Sequence, residues 1–289
     1  YKKEFNYLLK GHHYYFESRN KQFKTQVKYW LDVLPNIKDL VNLNKSSKKN
    51  NNKIKPIFII GIPRCGSTLV EKVIASGANH IPTGEETGIF GTLVKQKILK
   101  KHDPSSDIEN LRTRLIERYK QKGLIKEERN YTFTDKSLDN FFYLGLIKES
   151  FVNAKVIDCR RNVLSSIISI LRNNLTKLAW THNLEHIFKY FDIYYKTIES
   201  YKKIFPNFIY ELQFEKLINN PEEESKKLMK FCELPWDKKC LEFYKRKDLF
   251  SKTASNIQIR KPIYKHPEEK YLPYKKFLSN YRDKYQWFN

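Results

Sequence analysis

The residues with the clearest chemical potential lie in the run Gly61-Ile62-Pro63-Arg64-Cys65-Gly66-Ser67-Thr68. Two glycines bracket a loop that ends in a hydroxyl residue, the spacing with which a chain turns backbone amides toward a phosphate at the start of a helix. The triphosphate signature Gly-x-x-x-x-Gly-Lys-Ser/Thr would put a lysine where Ser67 stands. That lysine serves the β- and γ-phosphates. A loop that keeps the amides and moves its cation to Arg64 suits a shorter anionic ligand, a phosphate or sulfate ester. Cys65, at a helix N-terminus, is expected to be an acidified, modifiable thiol. Two carboxylates, Glu85 and Glu86, follow Gly84. Coming soon after the first strand and helix, they would emerge on the carboxyl-end rim where open α/β sheets keep their ligands. Taken alone they also read as charges favourable to the N-terminus of a helix beginning near Thr87. Lys136 leaves a short alternating stretch, Tyr131-Thr132-Phe133-Thr134, toward the same rim. Arg160 and Arg161 close another apolar run, and Ser169 follows Arg161 by eight residues, about two turns into the next helix, where it faces the same ligand. A guanidinium at such a turn is suited to bidentate contact with a terminal phosphate.

These residues must be carried by alternating strands and helices. Pro56 to Ile60 is an unbroken, β-branched apolar run that reads as a buried parallel strand, with a helix from Thr68 to about Ser76. Residues 88 to 130 are helical and basic, with a break at His102-Asp103-Pro104. An amphipathic helix runs through Phe141, Phe142, Leu144, Leu146 and Ile147, a strand through Lys155 to Cys159, and a long helix over 182 to 204, whose aromatic stripe reads as core. Asn207 to Gln213 is a further buried strand, Pro221 to Cys232 a helix with proline in its first turn, and Tyr274 to Phe288 a closing helix. Upstream, residues 1 to about 44 show aromatic-rich helical spacing without a catalytic signature, and the polar run 45 to 55 is a candidate linker. The expected division is a helical extension with its linker over 1–50 and a catalytic domain over 51–289.

At 289 residues the chain can bury a full α/β core. Its formal net charge of +23 favours anionic partners, although lysine and asparagine are also abundant in plain loops such as 44–53. No recognised nucleic-acid motif accompanies the charge, so a basic nucleic-acid-binding module rests on charge alone. The four cysteines (Cys65, Cys159, Cys232, Cys240) show neither a paired framework nor zinc spacing, which points to a reducing compartment and no metal. His182 and His186, one helical turn apart, lack a third ligand and are expected on a solvated helix face. The longest apolar run is far short of the roughly 20 residues a membrane span needs, and no signal peptide is evident near the start, so a cytoplasmic protein is expected. The chain begins at Tyr1 without a methionine, which leaves room for residues upstream.

The stretch Pro63-Arg64-Cys65-Gly66-Ser67-Thr68-Leu69 resembles the Pro-Arg-Ser-Gly-Thr-Thr-Leu loop with which sulfotransferases hold the 5′-phosphosulfate of PAPS (3′-phosphoadenylyl sulfate). The resemblance is to bacterial sulfotransferases that often follow tetratricopeptide repeats and, more distantly, to tyrosylprotein sulfotransferases. It covers about 56 to 266. It implies a P-loop-like three-layer α/β/α domain with a mostly parallel sheet, and an N-terminal extension that links to upstream helical repeats. The loop Arg64, Cys65, Gly66, Ser67 and Thr68 would hold the phosphosulfate, and Arg161 with Ser169 the 3′-phosphate. A glutamate would be the general base: matching to the bacterial proteins picks Glu85, and matching Gly-Glu-Glu-Thr to the tyrosylprotein enzymes picks Glu86. Arg64, Lys136 and Ser255 would stabilise charge on the bridging oxygen. Thr253 to Lys265 resembles the segment that folds over the nucleotide, with Ser255 contacting the leaving region and Arg260, Lys261 and Lys265 neutralising phosphates. Arg172 lies one position off the spacing of a further helix arginine. The chain departs from the family at Cys65, at Ser67, at Phe214, where a tyrosine is usual, and at Pro267 to Tyr271, where a Gly-x-Trp element is common. The acceptor hydroxyl, whether protein tyrosine, saccharide or small alcohol, is left open. A P-loop kinase or NTPase is the competing enzyme class, against which stand the missing lysine and the lack of a clear acidic metal-binding strand end.

Overall fold

Strand β1, Lys55–Gly61, explains the layering of the molecule. Every residue after Lys55 is buried, and successive side chains leave a strand on opposite faces. Ile57 and Ile59 enter one apolar cluster, with Val70, Val73 and Ile74 of helix α3 (Ser67–Ala75) and Leu228 and Met229 of a later helix. Phe58 and Ile60 enter another, with Phe90, Leu111, Leu115, Phe133 and Phe188. A strand apolar on both faces must be covered on both, and the result is a three-layer α/β/α arrangement. The computed structural model describes residues 1–37, 53–99, 108–126, 131–246, 248, 260–264 and 268–288.

The sheet has the order β2-β1-β3-β4 and all its pairings are parallel, with β2 at Thr132–Asp135, β3 at Lys155–Arg160 and β4 at Ile209–Gln213. Parallel strands place all their carboxyl ends on one rim, so the loops after β1, β2 and β3 meet there. Helices α4 (Ile89–Leu99), α5 (Ile108–Gln121), α6 (Leu144–Ser150), α7 (Val163–Asn173) and α8 (Leu184–Ile204) supply one layer. Helices α9 (Phe214–Asn219) and α10 (Pro221–Phe231) join α3 in the other; numbering continues from α1 (Lys2–Glu17) and α2 (Asn20–Lys28) of the extension.

The extension packs directly on the domain. Phe5, Leu31 and Leu34 belong to the same apolar cluster as Phe58 and Ile60. Phe16 of α1 and Phe23 of α2 meet edge to face, with ring centroids 5.6 Å apart, over Ala179. This packing overturns the expectation of a solvated histidine face. His182 is buried, ends a short 3-10 turn, Ala179–His182, and shares a 2.8 Å hydrogen bond between its Nδ1 and His12 Nδ1. The helix itself begins two residues later, because Asn183 caps it by accepting from the His186 amide at 3.2 Å. Two further boundaries differ. The helix expected through Phe141 to Ile147 is a 3-10 turn, Leu138–Tyr143, followed by α6, and the closing segment is 3-10 over Glu268–Tyr281, with Pro273 inside it. The 45-to-55 linker ends early: Ile54 is buried and Lys55 starts β1, while 38–52 lie outside the described residues.

Candidate active site

The loop after β1 closes with the Cys65 N–H donating a hydrogen bond to the Ile62 carbonyl (3.1 Å) and enters α3 through Gly66, whose φ of 94° is in the left-handed region. A side chain at Gly66 would also collide with the Phe214 ring, its Cβ falling 2.7 Å from Cε2. Phe214 therefore roofs the loop. Arg64 is left-handed too, at φ 74°, and its Nε donates to Ser169 Oγ at 3.0 Å. Arg161 Nη1 donates to the Arg64 carbonyl at 3.1 Å, and its guanidinium lies 4.8 Å over the Phe214 ring. Three sequence candidates from two separate stretches thus converge on one loop. Burial lowers the pKa of Arg64, and the Arg161 charge lowers it further, so an anion placed between them would relieve both. Arg160 is instead committed to Asp158 (2.7 Å) and Glu199 (3.4 Å), and Arg172 to Glu4 (2.9 Å) and the Tyr274 hydroxyl (2.8 Å).

Cys65 corrects one expectation. Its pKa is lowered, as anticipated, but chiefly through a hydrogen bond with the Cys159 thiol; both thiols are buried, so Cys65 is not the open, modifiable group expected of a helix start.

The other half of the site is built against β2. Residues 82–85 run beside it as an added edge: Thr134 N donates to the Pro82 carbonyl (3.0 Å), Gly84 N to the Thr134 carbonyl (2.9 Å) and Lys136 N to the Glu85 carbonyl (2.7 Å). Only glycine fits at 84, since a Cβ there would run into the Thr134 carbonyl oxygen. Glu85 then turns left-handed, at φ 50°, and the two glutamates diverge. Glu85 Oε1 lies 3.5 Å from Lys72 Nζ, whereas Glu86 Oε1 lies 3.3 Å from Lys136 Nζ. Lys136 is fully buried and not solvated, and the Glu86 side chain is 58% exposed.

A cleft of about 520 Å³ joins the halves, lined by Arg64, Gly66, Ser67, Thr68, Glu86 and Asp139 among others. Glu86 lies on it with the anion loop. Trp30 of the extension and Trp180 add aromatic wall, and burial pushes the Asp139 carboxyl up to about 6. Of the C-terminal candidates, Arg260 and Lys261 are exposed, Arg260 donating to the Arg246 carbonyl at 3.4 Å; Ser255 and Lys265 lie outside the described residues.

Sequence reasoning missed three groups. Glu71 and Lys72 on α3 are buried and approach Glu85; charges in an otherwise apolar helix were the available signal. Asp135 does form an acidic strand end, but it is already occupied: Oδ2 accepts from Thr87 (2.6 Å) and Tyr119 (2.7 Å), and Oδ1 from the Ser137 amide and hydroxyl (3.0 and 2.7 Å). Among the described residues, no group of three or more His, Cys, Asp or Glu side chains is arranged to hold a metal ion. The donor set, an amide loop, two arginines and a serine, fits a ligand with anionic ester groups.

Comparison with known proteins follows the same lines. The model of the sulfotransferase family matches residues 56–238, more than half of the chain. An uncharacterized protein of Aquifex aeolicus is 34% identical over 239 residues, covering 78% of this chain and 31% of that protein. A protein-tyrosine sulfotransferase of Drosophila melanogaster is 23% identical over 262 residues, covering 78% of this chain and 48% of its own length. The chain therefore spans less than half the length of these curated relatives. Among solved structures, the sulfotransferase domain from the Synechococcus PCC 7002 olefin synthase superposes with a TM-score of 0.55 at 17% identity, covering 78% of this chain and 89% of that one, which shows the shared fold. No helix among the described residues is long and apolar enough to cross a membrane.

Proposed function

The chain belongs to the sulfotransferase family, and we propose that it moves a sulfuryl group from PAPS to an acceptor hydroxyl. The observation that carries this reading is one cleft lined both by Arg64, whose side chain bonds Ser169 and whose carbonyl accepts from Arg161, and by Glu86, which pairs with the buried Lys136. Loop 64–68 would hold the phosphosulfate, and Arg161 with Ser169 the 3′-phosphate. PAPS, when bound, supplies an electrophilic sulfur and a phosphate leaving group.

Glu86 is the favoured base because it lies on the cleft, while Glu85 is turned toward Lys72. It takes the acceptor's proton, a role typically worth ~10²–10⁴-fold. Lys136 and Arg64 hold positive charge where negative charge grows on the bridging oxygen, without the cost of reorganising water. The Drosophila relative makes a tyrosine peptide the first acceptor to try; saccharide and small alcohols follow.

Calorimetric titration with PAP (adenosine 3′,5′-bisphosphate), 5′-AMP and ATP-magnesium tests the reading. Tight PAP binding that collapses in Arg161→Ala, with weak AMP and ATP binding, is expected. Binding of ATP-magnesium without PAP would overturn it.

A further inference from the structure

Helix α3 does more than present amides at its N-terminus. Its second turn carries Glu71 and Lys72, whose side chains are 0% and 1% exposed. Glu71 Oε1 accepts two hydrogen bonds, from the Thr134 hydroxyl at 2.8 Å and from the Glu85 backbone amide at 3.0 Å. Its other oxygen accepts no hydrogen bond and faces Lys72 Nζ at 3.8 Å, and the same ammonium lies 3.5 Å from Glu85 Oε1. A buried carboxylate is costly unless its contacts repay desolvation, and here they are spent on the residue just before Glu86.

We propose that Glu71 and Lys72 are positioning residues for the base: Glu71 clamps the Glu85 amide and Lys72 draws the Glu85 carboxylate aside, so that the chain turns at Glu85 and delivers Glu86 to Lys136 and the cleft. The φ of 50° at Glu85 is a conformation that a non-glycine residue keeps only when its surroundings impose it. Glu71 imposes it from α3, and the Lys136 amide, just past the end of β2, imposes it by donating to the Glu85 carbonyl at 2.7 Å. With Glu85 paired to Lys72, one of the two adjacent glutamates is withdrawn and a single carboxylate addresses the acceptor. The kinetic half of the proposal rests on the sulfotransferase reading; the structural half stands without it.

The test uses Glu71→Leu, Glu71→Gln and Lys72→Met in the whole chain. Crystal structures with PAP, PAP affinities and transfer from labelled PAPS to a tyrosine peptide are measured for each. In Glu71→Leu, Glu85 should leave its left-handed turn and Glu86 should separate from Lys136. Turnover should fall roughly 10²-fold, the scale of a small misplacement of a reacting group, with PAP affinity within about twofold. Glu71→Gln should restore both the turn and most of the turnover, because its amide oxygen still accepts from Thr134 and Glu85. Lys72→Met leaves the Glu85 carboxylate without its ammonium, an unbalanced negative charge on the residue next to Glu86, so the acid limb of its pH–kcat profile should move to higher pH. Glu86 still against Lys136 in Glu71→Leu, or unchanged turnover there, would overturn the clamp; an unmoved acid limb would overturn the role of Lys72. If Glu71→Leu does not fold, Glu71→Gln decides instead, an altered turn at Glu85 counting against the clamp. Loss of PAP binding in the unmodified chain would sink the sulfotransferase reading alone, since the structures still report on the turn.

Discussion

Gly66→Ala should disable the anion loop with little effect on the rest of the fold. The new methyl group would sit 2.7 Å from Cε2 and 3.2 Å from Cγ of Phe214, well inside van der Waals contact, on a residue whose φ is 94°. A non-glycine residue in that conformation costs on the order of 1–3 kcal/mol, and overpacking adds about 1–3 kcal/mol more. The ring has little freedom to move aside, because the Arg161 guanidinium rests 4.8 Å from its centroid and also donates to the Arg64 carbonyl. Strain is therefore relieved by shifting Arg161, Arg64 or the loop amides, the groups proposed to hold the two ends of PAPS. A loss of about 2–4 kcal/mol at that site corresponds to roughly 30- to 10³-fold in PAP affinity. Calorimetry with PAP measures this directly, beside a thermal melt to separate local from global damage. The added variant Gly66→Ala/Phe214→Ala makes the test specific: clearing the ring should recover much of the affinity lost to the clash, leaving the backbone cost. PAP affinity within twofold of the unmodified chain in Gly66→Ala would refute the argument that this ring and this glycine shape the cradle.

Three further outcomes are expected. Lys136→Ala should lower turnover by about 10²-fold or more while PAP affinity changes far less, as a group that acts on developing charge requires; equal turnover with labelled PAPS would remove Lys136 from the mechanism. Tyr119→Phe deletes a buried 2.7 Å hydrogen bond to Asp135, at a cost of about 1–3 kcal/mol, and an unchanged urea midpoint would contradict it. Stability should also fall on acidification. Burial holds His182 down to about 4 from an ordinary 6.5, with neighbouring His12 lowering it further, and burial lowers His12 and His186 as well. The unfolded chain then takes up protons that the folded chain refuses. This contribution is intact above about pH 6.5 and is lost as pH drops toward 4, by up to about 3 kcal/mol for His182 alone. Urea unfolding between pH 7.5 and 4 should show that slope, and His182→Phe should flatten it.

The order of strands and helices was legible because it depends on local signals. The apolar run at Pro56–Ile60 has no polar face and so demands cover on both sides, and Gly61 and Gly66 mark the loop that follows. The convergence of Arg64, Arg161 and Ser169 was legible from motif spacing, since parallel strands return each loop to one rim. The divergence of Glu85 and Glu86 was not, because adjacent residues share every sequence signal and are parted by contacts from other elements, Glu85 with Glu71, Lys72 and the Lys136 amide, Glu86 with the Lys136 ammonium. His182 was misread for a similar reason: its spacing to His186 suits a helix surface, but α1 and α2 cover it from more than 150 residues away. Trp30 belongs with it, an extension residue that lines the cleft without any local mark of doing so.

Helix α3 ties these observations together. Its N-terminus meets the loop that carries Arg64, and its second turn holds Glu85, so nine residues touch both the anion side and the base side of the cleft. The register of β1 on β2 fixes the strands up to Phe58 and Asp135, and α3 adds a side-chain link beyond it. That helix is itself anchored in the core by Val70, Val73 and Ile74. Substitutions that shift α3 as a body, such as enlarging Ala75 at its buried end, should therefore degrade PAP affinity and turnover together, whereas Glu71→Leu should degrade turnover alone. A body shift that left either quantity untouched would mean that the two halves of the site are positioned independently, and the single-helix account would fail.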